Sequence, residues 1–204
     1  MRFLRCGDNA LLLEVDAPEL VPRVAAALEI SPLEGVVDTV PGAQTLLLRF
    51  ETGETNFEEV SAAIKSLKLP ETVEHDKSEV VIPVSYDGED LEAVAAQTGL
   101  TIDEVIRLHS AGAYRVAFGG FAPGFAYIAG LDPKLHVGRH TTPRTQVAAG
   151  SVAIADEYTA IYPRASPGGW LVIGHTDLVT WDLQRTPPAL LLPGAAIRFV
   201  DIAR

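Results

Sequence analysis

The second half of the chain consists of short apolar segments separated by glycine- and proline-rich connections, and this alternation constrains the fold more than any other sequence feature. Examples after about residue 112 are AYRVAF, SVAIA, TAIYP, WLVIG and AIRFV. Apolar runs of this length, bounded by turn residues, are typical of β-strands rather than helices. The second half is therefore predicted to form a β-barrel or a β-sandwich.

The first 70 residues mix strand and helix patterns. Runs at 2–5 and 10–15 flank a Gly-Asp-Asn turn, and two β-rich runs flank Pro41-Gly42, so two hairpins are predicted. One helix is expected at 19–29, and a second begins at Asn56, an N-cap residue type. The resulting ββαββα order predicts a small α+β sandwich with its helices on one face of an antiparallel sheet.

A charged stretch from Pro70 to Glu79 separates the two halves, and we place the domain boundary there, giving domains 1–75 and 76–204. Two consecutive helices should open the second domain. Asp90 and Thr101 are their predicted N-caps, and Gly99 is the predicted C-terminal glycine of the first.

Composition excludes several classes of protein. The formal net charge is −11 and the pI is near 4.8, which argues against a nucleic-acid partner. The chain is 48% apolar and 21% charged, as expected of a globular protein. It lacks an apolar run long enough to cross a membrane and a signal-peptide pattern, so a cytoplasmic location is expected. The single cysteine, Cys6, is expected to be a buried small hydrophobe.

Positive charge is concentrated between Arg107 and His175, a segment that contains six lysine and arginine residues but only three acidic residues. Ten of the seventeen glycines also lie there. Arginine pairs with carboxylate or phosphate, and glycine lets backbone N–H groups approach a ligand, so this segment is a candidate site for a small anion. The alternative is a loop-rich barrel whose arginines pair with surface acids.

Individual motifs in this segment leave their alternatives open. His109 shares a helix face with apolar residues, so it is either a core histidine or a general acid/base at a pocket. His136 and His140 flank Gly138, which makes a metal site on a helix doubtful. The glycines of 119–130 and 166–170 fit either an oxyanion cradle or turns. The sequence contains no Gly-Lys pair, so no P-loop is present.

The second half also resembles a known family. The segments IRLHSAGAYRVAFGGFAPGFAYIAGL, TTPRTQVAAGSVAIADEYTAIYPRASPGGWLVIGHT and PPALLLPGAAIRF are similar, in this order, to the KipI/allophanate-hydrolase-subunit-1 family. The resemblance implies a ferredoxin-like N-terminal domain and a cyclophilin-like C-terminal barrel. It also implies one component of an ATP-dependent 5-oxoprolinase that works with a homologous C subunit and with an A subunit, with ATP as a co-substrate of the complex. The alternatives are a KipI-like inhibitor of a sensor histidine kinase and a component of an allophanate- or urea-type amide hydrolase.

The resemblance further implies the residues of a pocket for a small anionic substrate, with no metal. His109 and Arg144 would be catalytic. The substrate-binding residues would be Phe121, Pro123, Gly124, Phe125, Tyr127, Thr142, Pro143, Gly150, Ser151, Ser166, Pro167, Gly168, Gly169, Trp170 and His175. His175 stands where the family has an arginine, which would weaken an anion site or make it pH-dependent.

Overall fold

The chain forms two compact units in a computed structural model that describes residues 1–73 and 79–203. The units are Met1–His75 and Asp76–Arg204. The boundary predicted between residues 75 and 76 lies outside the described residues and stays a prediction. Each unit has its own apolar core and is described by itself.

The first unit is a four-stranded antiparallel sheet with two helices. In chain order its elements are β1 (Arg2–Arg5), β2 (Ala10–Glu14), α1 (Leu20–Ile30), β3 (Val36–Pro41), β4 (Thr45–Phe50) and α2 (Phe57–Ser66). The sheet order is β1-β2-β4-β3, so both predicted hairpins and the ββαββα order are confirmed. A ferredoxin-like domain instead runs βαββαβ. The description of the first unit as ferredoxin-like therefore stays a prediction.

Alternating leucines place both helices on one face of this sheet. Leu11 and Leu13 of β2 pack with Leu46 and Leu48 of β4 in a core that also contains buried residues of α1 and α2. Asn56 caps α2 by accepting a hydrogen bond from the Glu59 backbone N–H. The expectation for Cys6 was wrong, because the residue is exposed just after β1.

The second unit is built around a seven-stranded mixed sheet. Its helices are α3 (Leu91–Thr98) and α4 (Ile102–Ala111), and a 3₁₀ turn spans Pro133–Leu135. Its strands are β5 (Glu79–Val84), β6 (Tyr114–Gly119), β7 (Ala126–Ala129), β8 (Arg144–Val147), β9 (Ser151–Ala155), β10 (Tyr158–Ile161), β11 (Ser166–Gly168), β12 (Leu171–His175) and β13 (Ala196–Asp201). The sheet order is β12-β9-β10-β7-β6-β13-β5, with β13 and β5 parallel.

The two edges of this sheet meet and nearly close it into a barrel. Ser85, just after β5, exchanges both backbone hydrogen bonds with His175 of β12, at 2.9 and 2.8 Å. The segment continues along β12, where Asp90 N–H donates to the carbonyl of Val172 at 2.9 Å. We call the contact from Ser85 to Asp90 the seam. The predicted barrel in the second half is therefore confirmed as a barrel-like sheet.

Strand β9 is buried on both faces. Val152 and Ile154 belong to the barrel core, whereas Ala153 and Ala155 belong to a separate outer core with aromatic residues. Near this outer layer the short β8–β11 pair forms its own two-stranded sheet. The barrel wall thus carries a second packed layer, and the candidate site lies in that layer.

The caps of the two helices match the sequence with one exception. Thr101 and Glu104 form the predicted capping box of α4, and Gly99 ends α3 in the left-handed conformation with φ of 70°. Asp90 is the N-cap residue of α3 as predicted, but its side chain makes no capping hydrogen bond. In the described part of the chain, no helix is long and apolar enough to cross a membrane.

Candidate functional site

Four aromatic side chains form the base of the candidate site, and we call them the aromatic cluster: Phe125, Tyr127, Tyr162 and Trp170. Phe125 contacts Tyr127, Tyr162 and Trp170 edge to face, with ring centroids 5.3, 5.4 and 5.6 Å apart. A Cβ at Gly168 would lie 2.2 Å from the Tyr162 hydroxyl oxygen, so only glycine fits there. Burial raises the pKa of Tyr162, which keeps this hydroxyl protonated.

Phe121 stands at the edge of this cluster in a strained conformation. Its φ is 64°, and the Ala122 N–H donates to the Gly120 carbonyl at 2.6 Å across it, which makes a γ-turn. A positive φ is unfavourable for a non-glycine residue, yet the ring is 61% exposed. It contacts Phe125 at 5.1 Å. An exposed aromatic ring held in a strained turn is a feature of binding sites.

Beside the aromatic cluster lies a charged cluster of Asp90, Arg144, His140 and Glu89. Arg144 donates two hydrogen bonds to the Asp90 carboxylate, Nη1 to Oδ2 at 2.8 Å and Nη2 to Oδ1 at 2.7 Å. Arg144 Nε lies 3.1 Å from Glu89 Oε1, and Nη1 lies 2.9 Å from His140 Nε2. The His140 backbone N–H donates to the Gly169 carbonyl at 2.7 Å, which joins this charged cluster to the segment carrying Trp170.

The electrostatics of the charged cluster depend on the buried Asp90. Burial alone would raise the pKa of its carboxyl, but hydrogen bonds from Arg144, from the Val172 backbone N–H and from His140 outweigh it and lower the pKa. The Asp90 hydrogen bonds raise the pKa of Arg144 in turn. Asp90 and Glu89 together carry two negative charges against one positive charge on Arg144. The geometry therefore favours Arg144 as a positioning residue over Arg144 as the direct ligand of an anion.

Arg139 is the better placed arginine for an anion. Its guanidinium carbon lies 5.8 Å from the centre of the Trp170 ring, at the edge of the aromatic cluster. Its ion pair with Asp156 spans 3.6 Å, and both side chains are 55% exposed, so the pair is weak. An incoming carboxylate can compete with Asp156 for this guanidinium.

His109 has the contacts of a core residue. It is fully buried in the barrel, where its ring packs 4.5 Å from the Phe199 ring. The Thr159 hydroxyl donates to the Ala153 carbonyl and so must accept from His109 Nε2, at 3.0 Å. Nδ1 then accepts from the Tyr86 hydroxyl at 2.7 Å. Burial lowers the pKa of His109 to about 3, so the ring is neutral and both nitrogens are occupied. These contacts favour the core alternative over the predicted acid/base role.

The other predicted site residues lie around the two clusters or at the barrel end. Thr142 and Pro143 are exposed just before β8, Gly169 lies against Pro143, and Ser166, Pro167 and Gly168 form β11. Pro123 is exposed and Gly124 packs against Trp181. Gly150, with φ of 81°, and Ser151 lie at the start of β9. His175 lies at the seam, where its Nδ1 is 2.7 Å from Asp87 Oδ1.

Five members of the site were missed as functional residues: Asp90, Glu89, Arg139, His140 and Tyr162. The sequence indicates Asp90 only as a helix cap, and because 54 residues separate it from Arg144, no local pattern indicates their pairing. The spacing of His140 from His136 suggests only a metal site, and a doubtful one. In the part of the chain that the structure describes, no group of three or more histidine, cysteine or acidic residues is arranged to hold a metal ion.

Comparison with known proteins identifies the class to which this fold and site belong. Residues 1–191 match the family described as carboxyltransferase domain, subdomain C and D, and the chain belongs to this family. It is 37% identical to the 5-oxoprolinase B subunit of Escherichia coli O157:H7, over 98% of this chain and 97% of that protein. It is 34% identical to the 5-oxoprolinase B subunit of Bacillus subtilis strain 168, over 97% of this chain and 91% of that protein.

Solved structures agree with the fold. The crystal structure of TTHA0988 superposes with a TM-score of 0.83 at 35% identity, covering 95% of this chain and 40% of that one. This chain therefore spans less than half of TTHA0988. The urea amidolyase of K. lactis is 20% identical with a TM-score of 0.76, covering 98% of this chain and 15% of that one, and shows a likeness of fold alone.

Proposed function

We propose that this chain is the B subunit of an ATP-dependent 5-oxoprolinase, a hydrolase complex that opens 5-oxoproline to glutamate while ATP and water become ADP and phosphate. One observation carries the proposal: identity of 34–37% to proteins named as the B subunit of 5-oxoprolinase extends over 97–98% of the chain and so includes both units. A likeness confined to the barrel would support only a shared fold.

The proposed complex contains a homologous C subunit and an A subunit, and the chain is inactive alone. ATP is a co-substrate of the whole complex in this proposal, and the sequence of this chain has no P-loop. Since the reaction consumes ATP, we place the complex in the cytoplasm. The cyclophilin-like name for the barrel and the ferredoxin-like name for the first unit belong to the same proposal.

The site supports binding of a small anionic substrate. In this proposal the carboxylate of 5-oxoproline pairs with Arg139, whose present partner is an exposed acid. Phe121, which is exposed, provides the apolar surface for the ring, and the buried aromatic cluster supports Phe121 through Phe125. Arg144, already paired with Asp90 and Glu89, keeps β8 in place beside the site.

The KipI-like kinase inhibitor and the allophanate-type hydrolase component are not favoured. The relatives that match both units carry the name of 5-oxoprolinase subunits. A binding assay with a kinase dimerisation domain is expected to show no complex.

The proposal is tested by purifying this chain with its candidate partner subunits and measuring glutamate formation from 5-oxoproline and ATP. Each component is omitted in turn. Activity should disappear when this chain is left out, and this chain alone should show none. Full activity without this chain would refute the proposal. A stable complex that forms no glutamate would keep the family and discard the substrate.

The anion role is tested by two arginine variants in the assembled complex. Arg139→Ala is expected to raise KM for 5-oxoproline about tenfold or more, as loss of a charge-assisted hydrogen bond does. Arg164→Ala, an exposed arginine beyond β10, is the matched control and should leave KM within about twofold of wild type. Equal KM values in both variants would place the carboxylate elsewhere.

A further inference from the structure

His140 is the histidine of the candidate site that is neither buried in the core nor paired only with an exposed acid. Its side chain is 30% exposed. Its Nε2 lies between two charged groups, 2.9 Å from Arg144 Nη1 and 3.2 Å from Asp90 Oδ1. Among the described residues, no hydrogen-bond partner contacts its Nδ1.

These contacts determine which ring nitrogen carries a proton. Arginine is always protonated and has no acceptor, so the Arg144 Nη1 contact requires His140 Nε2 to accept a hydrogen bond. The neutral ring then carries its proton on Nδ1. If the ring is doubly protonated, Nε2 donates to Asp90 and Nδ1 again carries a proton. The Arg144 contact is the shorter of the two Nε2 contacts, so we assign the proton of the neutral ring to Nδ1.

Four charged side chains make up the surroundings of His140. Asp90 and Glu89 come from the seam and the start of α3, Arg144 comes from β8, and Arg139 is its chain neighbour. Asp90 is fixed by a 2.7 Å hydrogen bond from the Val172 backbone N–H, and it fixes Arg144 in turn. The Nδ1–H group is therefore held in place by a rigid pair of charges on the opposite side of the ring.

We propose that His140 is a catalytic residue of this site, whose Nδ1–H donates a hydrogen bond to the carbonyl oxygen of the cyclic amide. The inference rests on the proposed function. The hydrogen stays on Nδ1. When the water of the proposed reaction bonds to the carbonyl carbon, the C=O π bond breaks and its electron pair moves to the oxygen, so the hydrogen bond from Nδ1–H strengthens. Asp90 and Arg144 act as positioning residues that orient the imidazole ring.

Two variants of His140 separate this role from a structural one. The amide nitrogen of asparagine can take the place of Nδ1, whereas the amide oxygen of glutamine can take the place of Nε2 and accept from Arg144. In the assembled complex, His140→Gln is expected to lower kcat about 100-fold, as loss of one oxyanion donor does, with KM within about threefold. His140→Asn should keep kcat within about tenfold of wild type.

If His140 has only a structural role, we expect the opposite order of kcat values, with His140→Gln active and His140→Asn impaired. That result, or equal kcat values in the two variants, would overturn the inference. The free energy of unfolding of each variant is measured in parallel. The kcat of His140→Asn must exceed that of His140→Gln under conditions in which both variants are folded. The same assay with this chain omitted tests the proposed function separately, and activity without the chain would overturn both proposals.

Discussion

Asp90 accepts hydrogen bonds from Arg144 and from the Val172 backbone N–H while its side chain is almost fully buried. It therefore links the start of α3, strand β12 and strand β8 through one carboxylate. Removing its charge leaves Arg144 without its main partner in a partly buried position. An uncompensated charge of this kind is destabilising, although the partial exposure of Arg144 reduces the effect.

The first prediction concerns this link. Asp90→Asn should lower the free energy of unfolding by about 2 kcal/mol, since it breaks a buried ion pair and leaves its partner in place. Glu89→Gln, which changes the exposed partner of the same arginine, should cost less than about 1 kcal/mol. Urea denaturation followed by circular dichroism measures both. Equal losses of stability would mean that the buried carboxylate has no special role.

The second prediction concerns His109. Its pKa of about 3 in the folded chain lies below the ordinary histidine value, so between these two values the unfolded chain binds a proton that the folded chain does not. Stability must therefore fall as pH drops below about 6.5, by about 2 kcal/mol at pH 5 from this group alone. The amide nitrogen of His109→Gln can donate to Thr159, but the side chain does not titrate. This variant should therefore lose about 2 kcal/mol less of its free energy of unfolding than the wild type does when the pH falls to 5. Denaturation at pH 7 and pH 5 measures it.

His175→Gln is the control for the His109 experiment, because this histidine is exposed at the seam. The free energy of unfolding of this variant should change with pH as that of the wild type does. If His109→Gln also keeps the full slope, His109 would not be the neutral core residue that its contacts indicate.

At the residue scale, the sequence predicts local conformation better than it predicts the role of a side chain. Thr101, Gly99 and Asn56 have the predicted conformations because caps depend on neighbours three or four residues away. Asp90 has an equally good capping sequence, but a guanidinium from a distant strand competes for its carboxylate. Local sequence contains no information about that competitor.

At the scale of elements, the γ-turn at Phe121 provides the third prediction. Alanine is normally more stable than glycine by about 0.5–1 kcal/mol, but a positive φ reverses this order because only glycine lacks the Cβ that clashes. Phe121→Gly should therefore be more stable than Phe121→Ala by about 1 kcal/mol. Both variants should raise KM in the assembled complex if the exposed ring contacts substrate.

Thermal unfolding of the two variants checks the order, and Phe118→Ala and Phe118→Gly form the control pair. Phe118 lies within strand β6, so there alanine should be the more stable replacement. The same order at both positions would show that Phe121 is not strained.

Most elements could be predicted because their periodicity is local. The four helices and the five strand segments quoted from the second half lie where alternating or helical patterns indicated. The pairing of β8 with β11 and the burial of β9 on both faces could not be predicted, since both depend on which distant segments cover the barrel wall. Small residues in SVAIA are the only local sign of that second layer.

At the scale of the whole molecule, the seam joins the two edges of the barrel through an isolated bridge and a connecting segment rather than through a pair of named strands. Its backbone hydrogen bonds join an edge segment to β12, whereas β9 is paired on both sides and buried on both faces. Local opening should therefore begin at the seam. The fourth prediction is that the Ser85 amide exchanges its hydrogen about tenfold or more faster than the β9 amides do. Hydrogen exchange measured by NMR tests this order, and equal protection would mean that the barrel opens only as a unit.

The overall organisation shows the same limit of sequence reasoning. The change from mixed helix and strand patterns to short apolar runs predicts two units of different class. Closure of the barrel depends on Ser85 meeting His175, a residue far along the chain, and no local pattern encodes that meeting. The family resemblance supplied what periodicity could not, and the match over residues 1–191 agrees with it.

The two tryptophans give the molecule an internal optical probe. Trp170 is 5% exposed inside the aromatic cluster and close to Arg139, whereas Trp181 is 36% exposed. Replacing Trp181 by phenylalanine would leave one indole whose emission depends on the cation above it and the rings around it. Ligand arrival at Arg139 would then be visible as a change in fluorescence intensity or wavelength, in a single chain and without turnover.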